Sequence, residues 1–589
     1  MAAHAELDAA GGSRAGTLSI RVAILSALLA LPFAARAQDT CRDSAELQQL
    51  LNDARWDLVL QGTNRCPAGS ADVDYYRGLA LAGLKRWNEA RAVLASGEKN
   101  YPRDKRFPLE LAGVAFKQKR FQAAKRHLRR ALRIDPHDRY AINFLATLYF
   151  LDGNLEAALK YWNRIEKPRI NQIRTDPQLR VDPALLDRVF TCSPASVLTL
   201  DQYRTTLQRL RQLGIFSSYR LDLMPAGGKD SGKLDLTLSA VESYGLGPDK
   251  AGVLISLLRG LPYETVYPEI HNLLRFAINF NSLFRWDEQK RRAFVSVSDP
   301  LARNPKYRFR LYADGRNENW NISRTLHQAA VPVQAFNLEK VELGGGIESI
   351  VNSRWNWTAG MSVSERRFRN LPSGTSAADP VFTNGVAVEV RADSHYALIR
   401  LPEKRFTMVS GIRGRFGDFY AARFGRFGRL QGSVGARWFP QARGDDYEVR
   451  ETVHAGKTFG RVPFDDLFML GLERDNNLPL RAHIGTRNGQ KGNAPLGRDY
   501  LLSNWEFNKN LYANAWFKLR LAPFVDAGRA YDRTDGFGSR QWLWDTGASV
   551  KLRVLGGVAL VFTYGKDLRT GRNAYYFTTT REGGPGFFP

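Results

Sequence analysis

No segment of this 589-residue chain carries 18 uninterrupted apolar residues. Ordinary spanning helices are thereby excluded, because about 20 such residues are needed to cross the hydrocarbon core of a bilayer. Cysteine is scarce, with only Cys41, Cys66 and Cys192. Neither a CxxC pair nor a paired-histidine spacing accompanies them, so no structural zinc site is expected. Catalytic signatures are missing too. There is no HExxH and no GxSxG on a strand-to-helix elbow, and Gly227-Gly228-Lys229-Asp230-Ser231-Gly232 lacks both the P-loop pattern and a following helix. The expectation is a protein that is not an enzyme, with no cofactor and no resident metal.

Acidic residues are in deficit, 59 against 85 lysines and arginines, for a formal charge of +26. That balance would suit nucleic acid, but its distribution argues against such a partner. Basic residues alternate with apolar ones, as in Tyr307-Arg308-Phe309-Arg310-Leu311, so one face of a strand is charged and the other apolar. A barrel lumen, or a surface facing anionic lipid headgroups, accounts for this pattern. With 44% apolar and 24% charged residues the composition is that of a folded protein, and 11% aromatics with 51 glycines favour strands and turns. The length implies two or more domains.

Residues 1–37 read as a secretory signal peptide. Arg14 and Arg21 precede the apolar run Val22 to Leu31, and Ala35-Arg36-Ala37 predicts cleavage before Gln38. Export without a spanning helix leaves the periplasm, the outer membrane or the medium. In those compartments disulfides persist. Cys41 and Cys66 flank an expected helical pair in an N-terminal cap, residues 38–70, and are the disulfide candidates; Cys192 is left single.

Self-similarity at a period of 34 residues runs through 71–170. Gly78, Ala112 and Ala146 recur at that step, as do Ala90, Ala124 and Ala158, and Pro102 is followed by Pro136. Small residues let the two helices of a hairpin approach closely, and the proline ends the second helix of each unit. Trp87, Phe121 and Leu155 would start the second helices. These features match tetratricopeptide repeats, which implies a concave docking surface for peptide or protein segments. Lys117, Lys119, Arg120, Lys125, Arg126, Arg129, Arg130 and Arg133 are expected on a solvated basic face, with an acidic partner as the alternative.

Three prolines over 168–185, Pro168, Pro177 and Pro183, mark a linker, placed at 171–185. A small α/β unit follows over 186–245: a short strand at Arg188 to Thr191, a helix from Leu200 to Leu213, then strands Phe216 to Met224 and Leu234 to Val241 around the turn at 226–230. The step Leu213-Gly214-Ile215-Phe216 followed by Leu234-Asp235-Leu236-Thr237-Leu238 resembles a POTRA domain, although it is shorter than the usual form. From about residue 270 the pattern is β throughout, including Ala293 to Ser298, Tyr307 to Asp314, Met408 to Phe416, Leu430 to Trp438, Leu511 to Leu521, Gly547 to Val554 and Val558 to Tyr564. Segments near ten residues suit tilted membrane strands, and residues 246–589 accommodate a transmembrane β-barrel of about 16 strands. Asn573 to Phe577 would be its closing strand, which must pair with the first to remove the sheet edge.

Within that region the order is distinctive. Phe464-Asp465-Asp466-Leu467-Phe468 reads as the start of a strand. A Gly/Asn-rich loop follows, with Leu480-Arg481-Ala482-His483 and Gly485, then a strand at Ser503 to Phe507 and then Phe524-Val525-Asp526-Ala527-Gly528. This order resembles the outer-membrane protein-assembly and two-partner-secretion transporter superfamily (BamA/TamA-like, with POTRA domains and a bacterial surface antigen barrel). The resemblance implies that the loop folds back into the barrel and that Arg481 at its tip is held by Asp526 of the wall, with Leu480, Gly485 and Gly528 in support. An arginine fork on a carboxylate is well suited to fixing a loop inside a narrow lumen. Ala482 and His483 stand where the superfamily has a glycine and an aromatic, and His483 is expected to be solvated, as are the acidic pairs Asp445-Asp446 and Asp465-Asp466.

The combined expectation is a multidomain protein: α-helical tetratricopeptide repeats and a POTRA-like domain in the periplasm, and a β-barrel in the bacterial outer membrane. It would act as a translocase or insertase for an unfolded or secreted client protein. Its partners would be that client, periplasmic or lipoprotein partners on the repeats, and outer-membrane lipid. A polysaccharide export porin with a repeat scaffold, or a surface-lipoprotein translocator, is the alternative.

Overall fold

In the computed structural model the described residues are 44–66, 69–226, 233–247, 250–324, 331–371, 380–421, 425–514, 516–531, 541–554 and 558–581. The expected signal peptide, Cys41 and most of the turn at 226–230 lie outside them. The chain divides into two compact units, the helical part up to Asn171 and everything from Gln172 onward apart from 225–234.

The first unit is a row of helical hairpins: α1 (Ser44–Asn52) with α2 (Trp56–Asn64), α3 (Ala71–Gly83) with α4 (Trp87–Asn100), α5 (Arg106–Lys117) with α6 (Phe121–Ile134), and α7 (Arg139–Leu151) with α8 (Leu155–Trp162). Ala90, Ala112, Ala124, Ala146 and Ala158 are all fully buried. A β-carbon on Gly78 would collide with the Leu94 side chain, so this position sets how closely α3 and α4 pack. Lys85, Lys119 and Gly153, one period apart, all turn with positive φ, at 62°, 60° and 74°. Each hairpin thus uses the same left-handed corner, which only its third copy fills with the residue best suited to it. Lys125 is not on the solvated face: it is 3% exposed and pairs with Asp152. Its long stem reaches into the hairpin packing, where Asp152 at the end of α7 supplies the counter-charge.

The second unit begins with a three-stranded sheet in the order β1-β3-β2, made of β1 (Ile170–Asp176), β2 (Phe216–Pro225) and β3 (Leu234–Glu242), with α9 (Pro183–Val189) and α10 (Leu200–Leu213) between β1 and β2. Two expectations are corrected here. The stretch 171–185 is not a linker, because it contains β1 and the start of α9. Beyond Ile170, which is fully buried, β1 exposes mainly polar side chains, so an edge strand was hidden in a polar sequence. Arg188 and Val189 end a helix rather than form a strand; the Asp182 side chain accepts from the Leu185 N–H and Pro183 occupies its first turn, a strong start signal. The longer helix α10 has a full capping box from Thr199 and Gln202 and ends at Gly214 with φ 66°.

The barrel starts later than 246. Residues Lys250–Leu258 form helix α11, whose continuous apolar sequence has no period-two alternation. The wall then runs through β4 (Thr265–Val266), β5 (Glu269–Leu273), β6 (Ile278–Arg285), β7 (Lys290–Pro300), β8 (Tyr307–Arg324), β9 (Val331–Ile350), β10 (Trp355–Arg369), β11 (Gly385–Leu401), β12 (Phe406–Tyr420), β13 (Gly425–Trp438) and β14 (Tyr447–Gly460). A long inserted segment holds only the short β15 (Phe468–Met469), β16 (Thr486–Arg487), β17 (Gln490–Lys491) and β18 (Leu496–Gly497). The wall resumes with β19 (Asp499–Ala513), β20 (Lys518–Tyr531), β21 (Leu543–Arg553), β22 (Val558–Asp567) and β23 (Asn573–Arg581), and closes from β23 to β4. Because β4 and β5 both pair with β6 they are one interrupted strand, so fifteen strands cross the wall among the described residues, near the expected number.

Leu511 to Leu521 is not one strand. The Asn514 side chain accepts from the N–H groups of Trp516 and Phe517 and turns the chain between β19 and β20. Phe464–Asp466 likewise is a short 3-10 turn, because the side chains of Asp465 and Asp466 are drawn inward by basic wall residues.

The wall is apolar outside and charged inside. Leu311, Leu343, Met361 and Ile412 are 59–60% exposed, whereas Arg366, Glu389, Asp526 and Asp545 are fully buried. In β10 the alternation is plain: Met361 and Val363 face out, Ser362, Ser364 and Arg366 face in. A water-soluble sheet would reverse that sense. A barrel whose outer band meets lipid requires it.

Candidate functional site

The inserted segment between β14 and β19 turns back into the lumen and is held there by charge. At its start, Asp465 accepts from Arg366 Nε at 2.7 Å and from Lys340 at 2.8 Å, and Asp466 accepts from Arg415 at 2.7 Å. The expectation that these two carboxylates are solvated is therefore overturned: the basic inward face of β9, β10 and β12 takes them up. Phe464 and Leu467 meanwhile join Trp320, Phe336, Phe368 and Phe382 in an apolar cluster inside the wall. Asp445 stays exposed and pairs with Arg405 at 2.6 Å.

Further along, Asp475 meets Arg285 of β6 and Arg292 of β7, both at 2.9 Å, and Lys491 of β17 at 3.3 Å. Burial opposes ionisation of this loop carboxyl, but the surrounding Arg285, Lys491 and Arg292 outweigh it and hold its pKa well below the usual carboxylate range. Lys491 also reaches Glu318 of β8 at 2.5 Å.

At the tip, Arg481 and Asp526 are in direct contact. The guanidinium Nε donates to Asp526 Oδ2 at 2.9 Å and Nη2 to Oδ1 at 2.7 Å, and the Arg481 backbone N–H adds a third bond to Oδ2 at 3.0 Å. Nη1 donates to Glu506 Oε2 of β19 at 2.7 Å, and the guanidinium lies 3.8 Å from the centre of the Phe524 ring. Asn504 completes the cage by donating to Asp526 Oδ1 and to the Pro479 carbonyl, each at 2.8 Å. A bidentate pair with every donor directed is far more position-specific than a point charge.

The supporting residues divide by role. Leu480 is fully buried in a cluster with Phe468, Leu470, Leu478, Tyr500, Leu502, Ala530 and Leu543, so the loop is seated by apolar packing as well as charge. A β-carbon on Gly528 would lie 3.1 Å from Leu502 and 3.3 Å from both Leu470 and Leu480, and one on Gly485 would lie 2.9 Å from Glu473 Cβ. His483 is not solvated. It is 6% exposed, with Nδ1 3.1 Å from Asp545 Oδ2 of β21 and Nε2 3.8 Å from Asp567 Oδ2 of β22. Ala482 N–H donates to the same Asp545 oxygen at 2.6 Å, so the departure at Ala482 and His483 comes with its own partners. Sequence reasoning missed Glu506, Phe524, Asp545 and Asp567. Their only local signal is an acidic or aromatic residue at an inward position of a strand.

Opposite the loop, the lumen is closed by the α/β unit. Asn279 Nδ2 of β6 donates to the Leu213 carbonyl at 2.8 Å, and Arg308 of β8 donates to the Gln212 carbonyl. A cationic side chain is well placed on the last carbonyls of α10. Gly214 keeps this approach open, since a β-carbon there would stand 3.2 Å from Asn279 Nδ2, and Phe216 begins β2 two residues later. Between helix and loop lies a cavity of about 670 Å³, lined by Gln212 and by side chains of both charge signs, among them Arg316, Glu342, Arg391, Arg415 and Asp475.

The closure of the wall is slight. At the closure β23 neighbours β4, which among the described residues is two residues long. The Tyr263 hydroxyl donates to the Phe577 carbonyl at 2.6 Å and its ring stacks on Phe577 at 5.9 Å. Arg474 of the loop lies over Tyr263, its guanidinium 3.1 Å from the ring centre.

Cys66 is disulfide-bonded and Cys192 is a buried free thiol; Cys41 lies outside the described residues.

Residues 115–169 match the tetratricopeptide repeat family. No curated protein matches the chain in sequence. Among solved structures, the chain is similar to BamA from Haemophilus ducreyi lacking POTRA domains 1–3, at 12% identity over 70% of this chain and 84% of that one, with a TM-score of 0.41. It is also similar to CdiB from Escherichia coli, at 14% identity over 70% and 76% with a TM-score of 0.48. CdiB from Acinetobacter baumannii is similar at 11% identity over 92% and 99%, with a TM-score of 0.41. The chain is thus a tetratricopeptide-repeat segment followed by a small α/β unit and a closed antiparallel barrel with an apolar exterior and an internally braced loop.

Proposed function

We propose that the protein is an outer-membrane translocase or insertase that moves or assembles a client protein, with its repeats and POTRA-like domain in the periplasm. The observation that carries this reading is the span of the inserted loop. Asp475 ties it to β6 and β7 near the first strand, while Arg481 and His483 tie it to β19–β22 near the last. The loop is therefore an internal clasp across the slight closure of the wall. Releasing it would open the lumen and free an edge able to pair with an incoming strand. A passive pore has no need of such a clasp.

In the resting arrangement α10 stops one mouth and the loop stops the other. Client segments would be taken up on the concave repeat surface and by strand addition to the small sheet, and would then displace α10. Folding of the client after release supplies the free energy, since a folded client no longer returns to the site that took up its unfolded segments.

A polysaccharide export porin remains the second reading, favoured by the charged lining of the cavity. Quantitative comparison of outer-membrane and secreted proteins in cells with and without the chain separates the two. Selective loss of one or a few proteins is the expected result and names the client. An unchanged protein profile with loss of a surface polysaccharide would overturn the translocase reading.

A further inference from the structure

The tip of the loop carries a group of side chains that bracing alone does not explain. His483, Asp545 and Asp567 are all buried, and one donor atom from each lies within 4.8 Å of the other two. Among the described residues neither carboxylate has a lysine or arginine within ion-pair distance; His483 is the one cation-forming side chain beside them. Two buried carboxylates thus face at most one positive charge. That is a poor balance where burial makes unpaired charge costly. By contrast, Asp526 and Asp475 each have arginines on them.

The hydrogen bonds point the same way. Asp545 uses Oδ2 for the loop, through Ala482 N–H and His483 Nδ1, while its Oδ1 is buried with no hydrogen-bond partner. Asp567 accepts from Arg569 N–H at 2.9 Å and from the Thr570 hydroxyl at 2.5 Å, which orient it toward His483 Nε2. Ligands bonded at about 2.1 Å in tetrahedral geometry stand about 3.4 Å apart. One donor atom from each of the three residues lies within 4.8 Å of the other two, so a small inward movement would complete such a set.

We infer that His483, Asp545 and Asp567 form a binding site for a divalent transition-metal ion, with zinc the best chemical match, that locks the loop tip to β21 and β22. One imidazole nitrogen and two carboxylate oxygens suit zinc, whereas calcium and magnesium prefer oxygen alone. The ion would supply the missing positive charge and tie the loop to two strands at once. It performs no reaction, and the inference does not depend on what passes through the barrel.

The test uses the full chain, purified in detergent without a polyhistidine tag, stripped with chelator and titrated with zinc chloride by calorimetry. The Asp545→Asn, Asp567→Asn and His483→Gln variants are compared with Asp445→Asn, which lies outside the group. The expected result is one zinc per chain, with binding weakened about tenfold or more by each of the three substitutions and unchanged in D445N. Zinc should also slow proteolysis within 471–492 in the parent chain alone. Absence of saturable binding, or binding that survives all three substitutions, would overturn the site. Circular dichroism of each variant distinguishes lost binding from a lost barrel.

Discussion

Gly565 of β22 faces the backbone of Arg481: a β-carbon there would collide with the Arg481 carbonyl and stand 3.0 Å from Ala482 Cα. The wall is thus relieved of a side chain at the point where the loop tip comes closest. The barrel and its clasp are fitted to each other by the backbone as well as by the ion pairs.

Gly565→Val should displace the loop tip while leaving the wall assembled, since the obstruction faces the lumen. Faster proteolysis within 471–492, with unchanged heat-modifiable migration of the barrel, is the expected readout. Unchanged protease resistance would mean that the tip yields without cost.

Arg481→Ala and Asp526→Ala should each abolish most client transport while the barrel remains inserted. Removing one partner leaves the other buried and unpaired, a cost on the order of 3–5 kcal/mol. Arg481→Lys should not restore function, because an ammonium lacks the planar fork that bonds both oxygens of Asp526 while a third nitrogen reaches Glu506. Client transport in living cells and outer-membrane abundance of the chain are the paired measurements. Normal transport in R481A would remove the clasp from the mechanism.

Leu480→Ala tests the apolar half of the same seat. Leu480 is fully buried in its cluster, and truncation of such a residue costs about 2–5 kcal/mol. Hydrogen exchange of the loop amides should accelerate strongly, while exchange in β9–β12 stays as it was. Equal acceleration everywhere would show that the cluster stabilises the whole barrel rather than the loop.

Gly78→Val should destabilise the repeats, because any β-carbon there meets Leu94. Overpacking of this kind costs about 1–3 kcal/mol. The helical melting transition should fall, and the β signal should not move.

Burial pushes the Cys192 thiol up from its ordinary value near 9 to about 11. The folded protein therefore prefers the protonated form. As pH rises past 9 the unfolded chain loses its thiol proton first, and the stability contributed by Cys192 declines until about 11. The urea midpoint of the parent should fall across that window relative to Cys192→Ala, and maleimide labelling at pH 7.5 should be slow until denaturant is added. Rapid labelling of the folded chain would contradict the buried position.

The sequence by itself determined the elements whose cause is local. A 34-residue period of small residues places the helical hairpins to the residue, with Trp87, Phe121 and Leu155 opening α4, α6 and α8, because helix packing is set by neighbours three or four positions away. Period-two alternation marks the wall for the same reason. Arg481 and Asp526 were paired by what the superfamily resemblance implies, and the structure brings them together. What only the tertiary structure decided lies between strands. Strand β1 was hidden because its polar sequence is defined by pairing with β3, and the hairpin at Asn514 because alternation continues through a tight turn. Glu506, Asp545 and Asp567 gain their meaning from a loop 25 to 84 residues away in sequence, since barrel closure, not local pattern, sets which inward side chains face it. Cross-strand contact is non-local by nature, and the chain records only which face a residue takes, not whom it will meet there.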